Sequence, residues 1–250
     1  MLRYTRAGTG QPLIFVHGFL GGAGVWQGQL TALKESFDMV AVDLPGFAGS
    51  DIGSAPTTMS GFVGEVMTLA DSLGFERFSL AGWSFGGMIA QQAALEHPRR
   101  INRLVLAGTA GVGELPRRFE TWSETLSRIQ THGVPPTFDR TVRTWFVAGD
   151  ADPFFDACRT ACSGATEAAC RGAIGAMRPW RAAERLAEVV QPSLVIVGDR
   201  DRSTTVEDSL LLWKGLPAAD LCVLPRCAHG AHMERPDLFN KSLRDFLSRA

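Results

Sequence analysis

The pentapeptide Gly82-Trp83-Ser84-Phe85-Gly86 constrains this chain more than any other stretch. Before it stands Arg77-Phe78-Ser79-Leu80-Ala81, which reads as a buried strand; after it, Gly87 to Leu95 reads as a helix. A turn tight enough to join the two holds the serine in a strained backbone conformation, and side chains at the flanking positions would collide. Glycine at 82 and 86 removes that clash. The hydroxyl then stands proud of the sheet edge, where a base can reach it, the arrangement of a nucleophile elbow. Alone the pattern is weak, because glycine-rich loops abound. Between this strand and this helix it is strong, and the rest of the chain must supply a histidine, an acid and an oxyanion hole.

The strand–helix alternation runs along most of the chain. Candidate strands are Leu2–Arg6, Pro12–Val16, Phe37–Val42, Arg77–Ala81, Leu104–Ala107, Leu194–Val197 and Asp220–Leu224. Helical patterns fall around Val25–Lys34, Ser60–Leu73, Phe85–Glu96, Glu207–Lys214 and Pro236–Ser248. Continuous apolar strands alternating with helices predict a mostly parallel α/β sheet covered on both faces, with its active site at the carboxyl ends of the strands. From 111 to 188 the alternation stops, and helical patterns separated by prolines take over. This stretch is expected to form a helical cap inserted between two core strands, leaving 1–110 and 189–250 as the core. Most of its aromatic residues should hold the cap together, with two or three roofing a pocket. Trp122, Trp145, Phe146 and Trp180, together with Trp83 of the elbow, are the candidates.

Composition narrows the function classes. A chain of 250 residues with 45% hydrophobic content suits one domain with an insertion. A net charge of −1 leaves no electrostatic footprint for nucleic acid or an anionic membrane. Apolar runs such as Leu194-Val195-Ile196-Val197 have strand length, far short of a membrane span. The N-terminus lacks the charged and apolar regions of a secretion signal, and five cysteines are an odd number for a disulfide framework. Cys158, Cys162 and Cys170 cluster without a Cys-x-x-Cys pair or a nearby histidine at ligand spacing, so neither a metal nor another cofactor is expected. Reduced thiols fit a cytoplasmic protein.

Serine at its free pKa is a poor nucleophile and needs a base held in the right tautomer by an acid. In chains carrying such an elbow the acid follows a late strand and the histidine comes last. Of five histidines, His17 follows an early strand, His97 ends the helix after the elbow, and His132 lies in the cap. His229 and His232 both follow the last strand; His229 comes first, on a small-residue loop, and is favoured, with His232 read as structural. Gly198-Asp199-Arg200-Asp201 offers two carboxylates. Asp201 lies farther out, where it can turn toward the histidine loop, while Asp199 is placed to brace the turn. The earlier strand end, Leu106 to Ala110, holds no carboxylate. Two backbone amides complete the set: Phe85 at the helix N-terminus, and Phe19 in the loop His17 to Gly22, expected together as the oxyanion hole.

These segments together resemble the α/β-hydrolase superfamily over essentially the whole chain. The resemblance rests on His17-Gly18-Phe19, Asp43 to Asp51, Gly82 to Gly87, Gly198 to Asp201 and His229 to Pro236, in that order. In the family pattern the acid is the third residue after the strand-end glycine, which supports Asp201 over Asp199. The histidine precedes a Glu-Arg-Pro segment, here Glu234-Arg235-Pro236, which supports His229. Within the superfamily the chain is most similar to small carboxylesterases and lactonases, including pimeloyl-carrier-protein methyl ester esterases and 3-oxoadipate enol-lactonases. It departs from the pattern at Ala228, at Ala48 and in lacking a proline after the acid, in Arg202-Ser203-Thr204-Thr205. The sheet is expected to have seven strands instead of eight.

The resemblance implies a serine hydrolase of a small ester or lactone, with Ser84, Asp201 and His229 as a triad and an acyl-enzyme intermediate. Carbon–carbon bond hydrolysis by the same triad is the nearest rival. A ligand receptor built on a hydrolase fold is a rival of another class. Arginines of the insertion, among them Arg117, Arg118, Arg140, Arg143 and Arg159, either recognise a substrate carboxylate or a carrier protein or are solvated surface charges, the reading favoured here.

Overall fold

Buried on every residue, Phe78–Trp83 and Ser193–Gly198 have the continuous apolar character of strands covered on both faces. They belong to a seven-stranded sheet in the computed structural model, which describes residues 1–51, 55–116 and 118–249. The strands are β1 (Arg3–Ala7), β2 (Gln11–Val16), β3 (Phe37–Asp43), β4 (Phe78–Trp83), β5 (Ile101–Ala107), β6 (Ser193–Gly198) and β7 (Ala219–Leu224). Their spatial order is β1-β3-β2-β4-β5-β6-β7; β1 runs antiparallel to β3, and every other pairing is parallel. The mostly parallel, doubly covered sheet expected from the sequence is the one found. From β2 the chain steps outward to β3 and then returns to β4 on the other side, so β2 and β4 flank a topological switch point. The loops leaving these two strands diverge there and open a crevice at the carboxyl edge.

Helices and short 3-10 turns connect most of the strands. After a 3-10 turn at Ala23–Trp26 comes α1 (Gln27–Leu33), then α2 (Met59–Ser72) and α3 (Phe85–Glu96). Between β5 and β6 run α4 (Trp122–His132), α5 (Val134–Arg143), α6 (Phe155–Ala161) and α7 (Glu167–Met177). The chain finishes with α8 (Val206–Gly215), a single turn α9 (Ala231–Glu234) and α10 (Pro236–Leu247). Helix α1 packs on α10 and α2 on α3, with helices on both sides of the sheet. Starts are written in the sequence: Thr121 with Glu124 and Thr205 with Asp208 form capping boxes, each side chain accepting from the other's backbone.

The four helices α4–α7 leave and rejoin the sheet at one place. Val112 bridges Arg181 in antiparallel fashion, Gly113 N donates to Trp180 O at 3.1 Å, and Ala182 N donates to Gly111 O at 2.8 Å. Entry and exit of the insertion are thereby zipped together.

Most elements differ from expectation by a residue or two at their ends, and three of these differences have a visible cause. The pattern from Val25 starts as a 3-10 turn because the Ala23 amide is drawn to Asp43 Oδ1 at 2.7 Å. Strand β4 extends to Trp83, since Gly82 and Trp83 pair with Leu106 and Ala107. Strand β5 begins early, at Ile101, which pairs with Phe78 before a register irregularity. Among the described residues no helix is long and apolar enough to cross a membrane.

Candidate active site

Ser84 ends the turn from β4 into α3 with φ +54° and ψ −115°, a conformation that costs a non-glycine residue on the order of 1–3 kcal/mol. Surrounding bonds hold it there. Its amide donates to Ala107 O at 2.9 Å, and its carbonyl accepts from Gly87 N at 2.9 Å and from Thr109 Oγ1 at 2.8 Å. A Cβ at Gly82 would stand 2.1 Å from Gly86 O, and one at Gly86 would stand 2.2 Å from Val16 O. Only glycine fits at either position.

The loop after β6 brings Asp201 inward and buries it. Its Oδ1 accepts from the Ser203 and Thr204 amides at 2.8 and 2.9 Å, and its Oδ2 faces His229 Nδ1 at 2.8 Å. Against a carboxylate Nδ1 carries the proton, which leaves Nε2 free to accept one. The missing proline now has a reason: at 203 or 204 it would delete one of the two amide donors to Asp201. Asp199 stays at the strand end, where its Oδ1 accepts from Cys227 N at 3.3 Å.

Four hydrogen bonds fix the backbone around His229. Trp83 Nε1 donates to its carbonyl at 2.8 Å, and Gly230 N donates to Trp145 O at 2.7 Å. Glu234 accepts from Ala228 N at 2.5 Å with Oε2 and from Val147 N at 2.7 Å with Oε1. Burial raises the Glu234 pKa, against the pull of these two amides. In the sequence Glu234 served only as a landmark after the histidine. Its bridging role had one available signal, a glutamate at the first turn beyond a loop histidine.

Gly108 follows β5, the strand end without a carboxylate. It has φ +49°, and a Cβ there would lie 3.2 Å from both Asp201 Oδ2 and His229 Nδ1. The Asp–His pair thus rests on bare backbone.

The other histidines fall elsewhere. His232 is enclosed by Trp26, Trp83 and Phe239, with ring centroids 4.5, 4.9 and 5.7 Å away, and burial pushes its pKa down to about 3. His17 accepts from Leu44 N at 3.0 Å through Nε2 and donates from Nδ1 to Gly18 O at 2.7 Å; burial lowers it to about 4. It locks the loop after β2 in shape. In that loop Gly21 N donates to Gly18 O at 2.9 Å, and Leu20 takes φ +62°, a strain with no sequence signal. Gly18 lies against Ser84, so that a Cβ on it would stand 3.1 Å from Ser84 Cβ. Phe19 follows directly, its ring edge-on to Phe47 and Trp122. Phe85 is the first residue of α3, and the first amides of a helix have no intrahelical partner.

Ser84, His229, Phe19, Trp83, Trp122 and Trp145 line one cavity of about 30 Å3. That is space for about one or two water molecules. Phe85 stands outside its lining, and the Phe85 ring packs edge-on to Phe62 at 4.9 Å. Of the five candidate aromatics, Trp83, Trp122 and Trp145 come together here, Trp145 edge-on to Trp83 at 4.7 Å. Phe146 does not; it faces an outer groove of about 1190 Å3 that includes neither Ser84 nor His229. Trp180 lines neither space, because its indole N–H is drawn to Gln92 Oε1 at 2.8 Å at the root of the insertion. Arg118 enters the cavity wall, its Cζ 3.6 Å from the Trp122 ring centroid. Arg140 and Arg143 line the groove, Arg159 pairs with Asp139 at 2.6 Å, and Arg117 lies outside the described residues. Among the described residues no group of three or more His, Cys, Asp or Glu side chains is placed to hold a metal.

A chain with this sheet, elbow and late Asp–His pair has many counterparts. One relative, 2-hydroxy-6-oxo-6-phenylhexa-2,4-dienoate hydrolase of Comamonas testosteroni, is 28% identical over 99% of this chain and 91% of its own length. Another, 3-oxoadipate enol-lactonase 2 of Acinetobacter baylyi, is 24% identical over 95% and 88%. A crystal structure of a hydrolase from Pseudomonas aeruginosa superposes with a TM-score of 0.90 at 27% identity, covering 99% of this chain and 94% of that one. The family model for the alpha/beta hydrolase fold matches residues 11–236, from the first parallel strand to the start of the last helix, and the protein belongs to that family of hydrolases.

Proposed function

We propose that the protein hydrolyses a small carboxylic ester or lactone through an acyl-enzyme on Ser84. The observation that carries this reading is the 2.8 Å Asp201–His229 contact, with His229 and Ser84 lining one cavity. His229 Nε2 takes the proton from Ser84 Oγ as the oxygen attacks the carbonyl carbon. The oxyanion so formed is held by the Phe19 and Phe85 amides, each donor of this kind contributing roughly 3 kcal/mol to the transition state. Asp201 keeps the imidazole in the tautomer that accepts and stabilises the imidazolium. The same proton then goes to the leaving oxygen, and a water deprotonated by His229 releases the acid.

Residues 111–188 act in this reading as a cap over the core formed by 1–110 and 189–250. Five free thiols fit a reducing, cytoplasmic setting. The test is turnover of p-nitrophenyl esters from acetate to octanoate by the wild type and Ser84→Ala. We expect a wild-type optimum at short acyl length and a fall of at least about 10⁴-fold in the variant. Retained turnover in Ser84→Ala would sink the mechanism. The 28% identity to a dienoate hydrolase favours one second reading, carbon–carbon cleavage by the same residues. A dienoic diketone consumed while all esters are refused would establish it.

A further inference from the structure

Arg118 is a cation on the wall of an otherwise largely apolar cavity. It lies with Phe19, Trp83, Ser84, Trp122 and His229 around the same small space. Its place is set by the Trp122 face 3.6 Å from Cζ and by a bond from Nη1 to the Glu120 carbonyl. Burial draws its pKa down to about 10, so it is still charged at neutral pH.

A partly desolvated charge is unfavourable unless something of opposite sign faces it. The carboxylates of Glu120 and Glu114 offset part of that cost through space, but each is paired with another arginine. Glu120 is gripped by Arg128 at 2.6 and 3.1 Å, with Arg140 at 3.9 Å, and Glu114 faces Arg178 at 3.6 Å. Among the described residues Arg118 forms no ion pair. A guanidinium stacked on an aromatic face keeps its edge free for the planar fork of a carboxylate.

We propose that the substrate carries a second, free carboxylate, and that Arg118 binds it while Ser84 attacks the ester or lactone carbonyl. The preferred substrates are therefore half-esters of short dicarboxylic acids, or lactones bearing an acid side arm. The proposal rests on the hydrolase reading above and adds its substrate class. Arg118 is thereby a specificity-determining residue. Phe119 lines both this cavity and the outer groove, whose wall carries Arg140, Arg143, Arg200 and Arg202 together with Asp139, Asp199 and Asp201.

The experiment compares monomethyl with dimethyl esters of succinate, glutarate and adipate, in two ways. Turnover by the wild type, Arg118→Met and Arg118→Lys is followed by methanol release. Binding of the same compounds to Ser84→Ala, with and without Arg118→Met, is measured by calorimetry. We expect the wild type to prefer at least one monoester over its diester. Arg118→Met should lose roughly 10- to 100-fold in kcat/KM on the monoester and less than about 3-fold on the diester, with Arg118→Lys between. The binding preference of Ser84→Ala should vanish in the double variant. Equal losses on both esters would make Arg118 structural or a general charge stabiliser and overturn the proposal. So would equal binding of the two esters, or binding of neither, to Ser84→Ala. Absence of all turnover with the binding preference intact would sink the hydrolase reading and leave the carboxylate site standing.

Discussion

The carboxyl edge of the sheet and the helices inserted above it hold their residues by different means. At the sheet edge, position comes from backbone. Ser84 is held by main-chain bonds to Ala107 and Gly87, Asp201 by two amides, and the Asp–His pair rests against a glycine. In the insertion, position comes from side chains meeting side chains: Trp145 on Trp83, Trp122 on Phe19, Arg118 on Trp122. Backbone geometry changes little when a surface residue is replaced, whereas a stack of rings changes with each member. The first kind of placement tolerates side-chain replacement; the second depends on each side chain.

Gly108→Ala is the hardest test of that contrast. A methyl group 3.2 Å from both Asp201 Oδ2 and His229 Nδ1, at φ +49°, must push the pair aside. We expect kcat to fall by roughly 100-fold on every ester while KM changes little. A fall confined to particular substrates would break the comparison.

Acid stability sharpens it from the core side. His17 and His232 have folded pKa values of about 4 and about 3, below the ordinary 6.5. As pH falls below 6.5 the unfolded chain binds protons that the folded chain refuses. Stability is thus complete above that pH and is lost on the way down toward 4 and 3. Each histidine should cost roughly 2 kcal/mol by pH 5. His232→Phe should remove about half of the slope in thermal melts between pH 7 and 5; an unchanged slope would mean the aromatic cage admits a protonated ring.

Changes in the insertion should redistribute activity instead of abolishing it. Trp122→Leu is expected to shift the preferred acyl length upward, changing the ratio of octanoate to acetate turnover by about 10-fold. A uniform loss would place Trp122 with the sheet-edge machinery. The smallest effect belongs to Ala48→Gly. Ala48 has φ +49°, so relief of that strain should stabilise the protein by about 1 kcal/mol, with activity untouched.

What could be read from the sequence follows the same divide. The elbow was legible because its geometry forbids any side chain at 82 and 86, and such a prohibition leaves glycines in the chain. The parallel sheet was legible because β4 and β6 are buried at every position, which demands an unbroken apolar run. Choosing between Asp199 and Asp201 needed the family pattern, since the Oδ1 bonds that separate them come from amides, and amides carry no letter. Phe146 and Trp145 are adjacent, yet one faces the groove and the other the cavity. Nothing in their identity tells which way each turns. Arg118 likewise stood as one arginine among several until its neighbours were found to be spoken for.

Glu234 belongs to both regions: one oxygen holds Ala228, beside the base, and the other holds Val147 in the insertion. Ala228 and Val147 both border the outer groove. One carboxylate is thus a rivet between the two regions, set one residue ahead of His229 on one side.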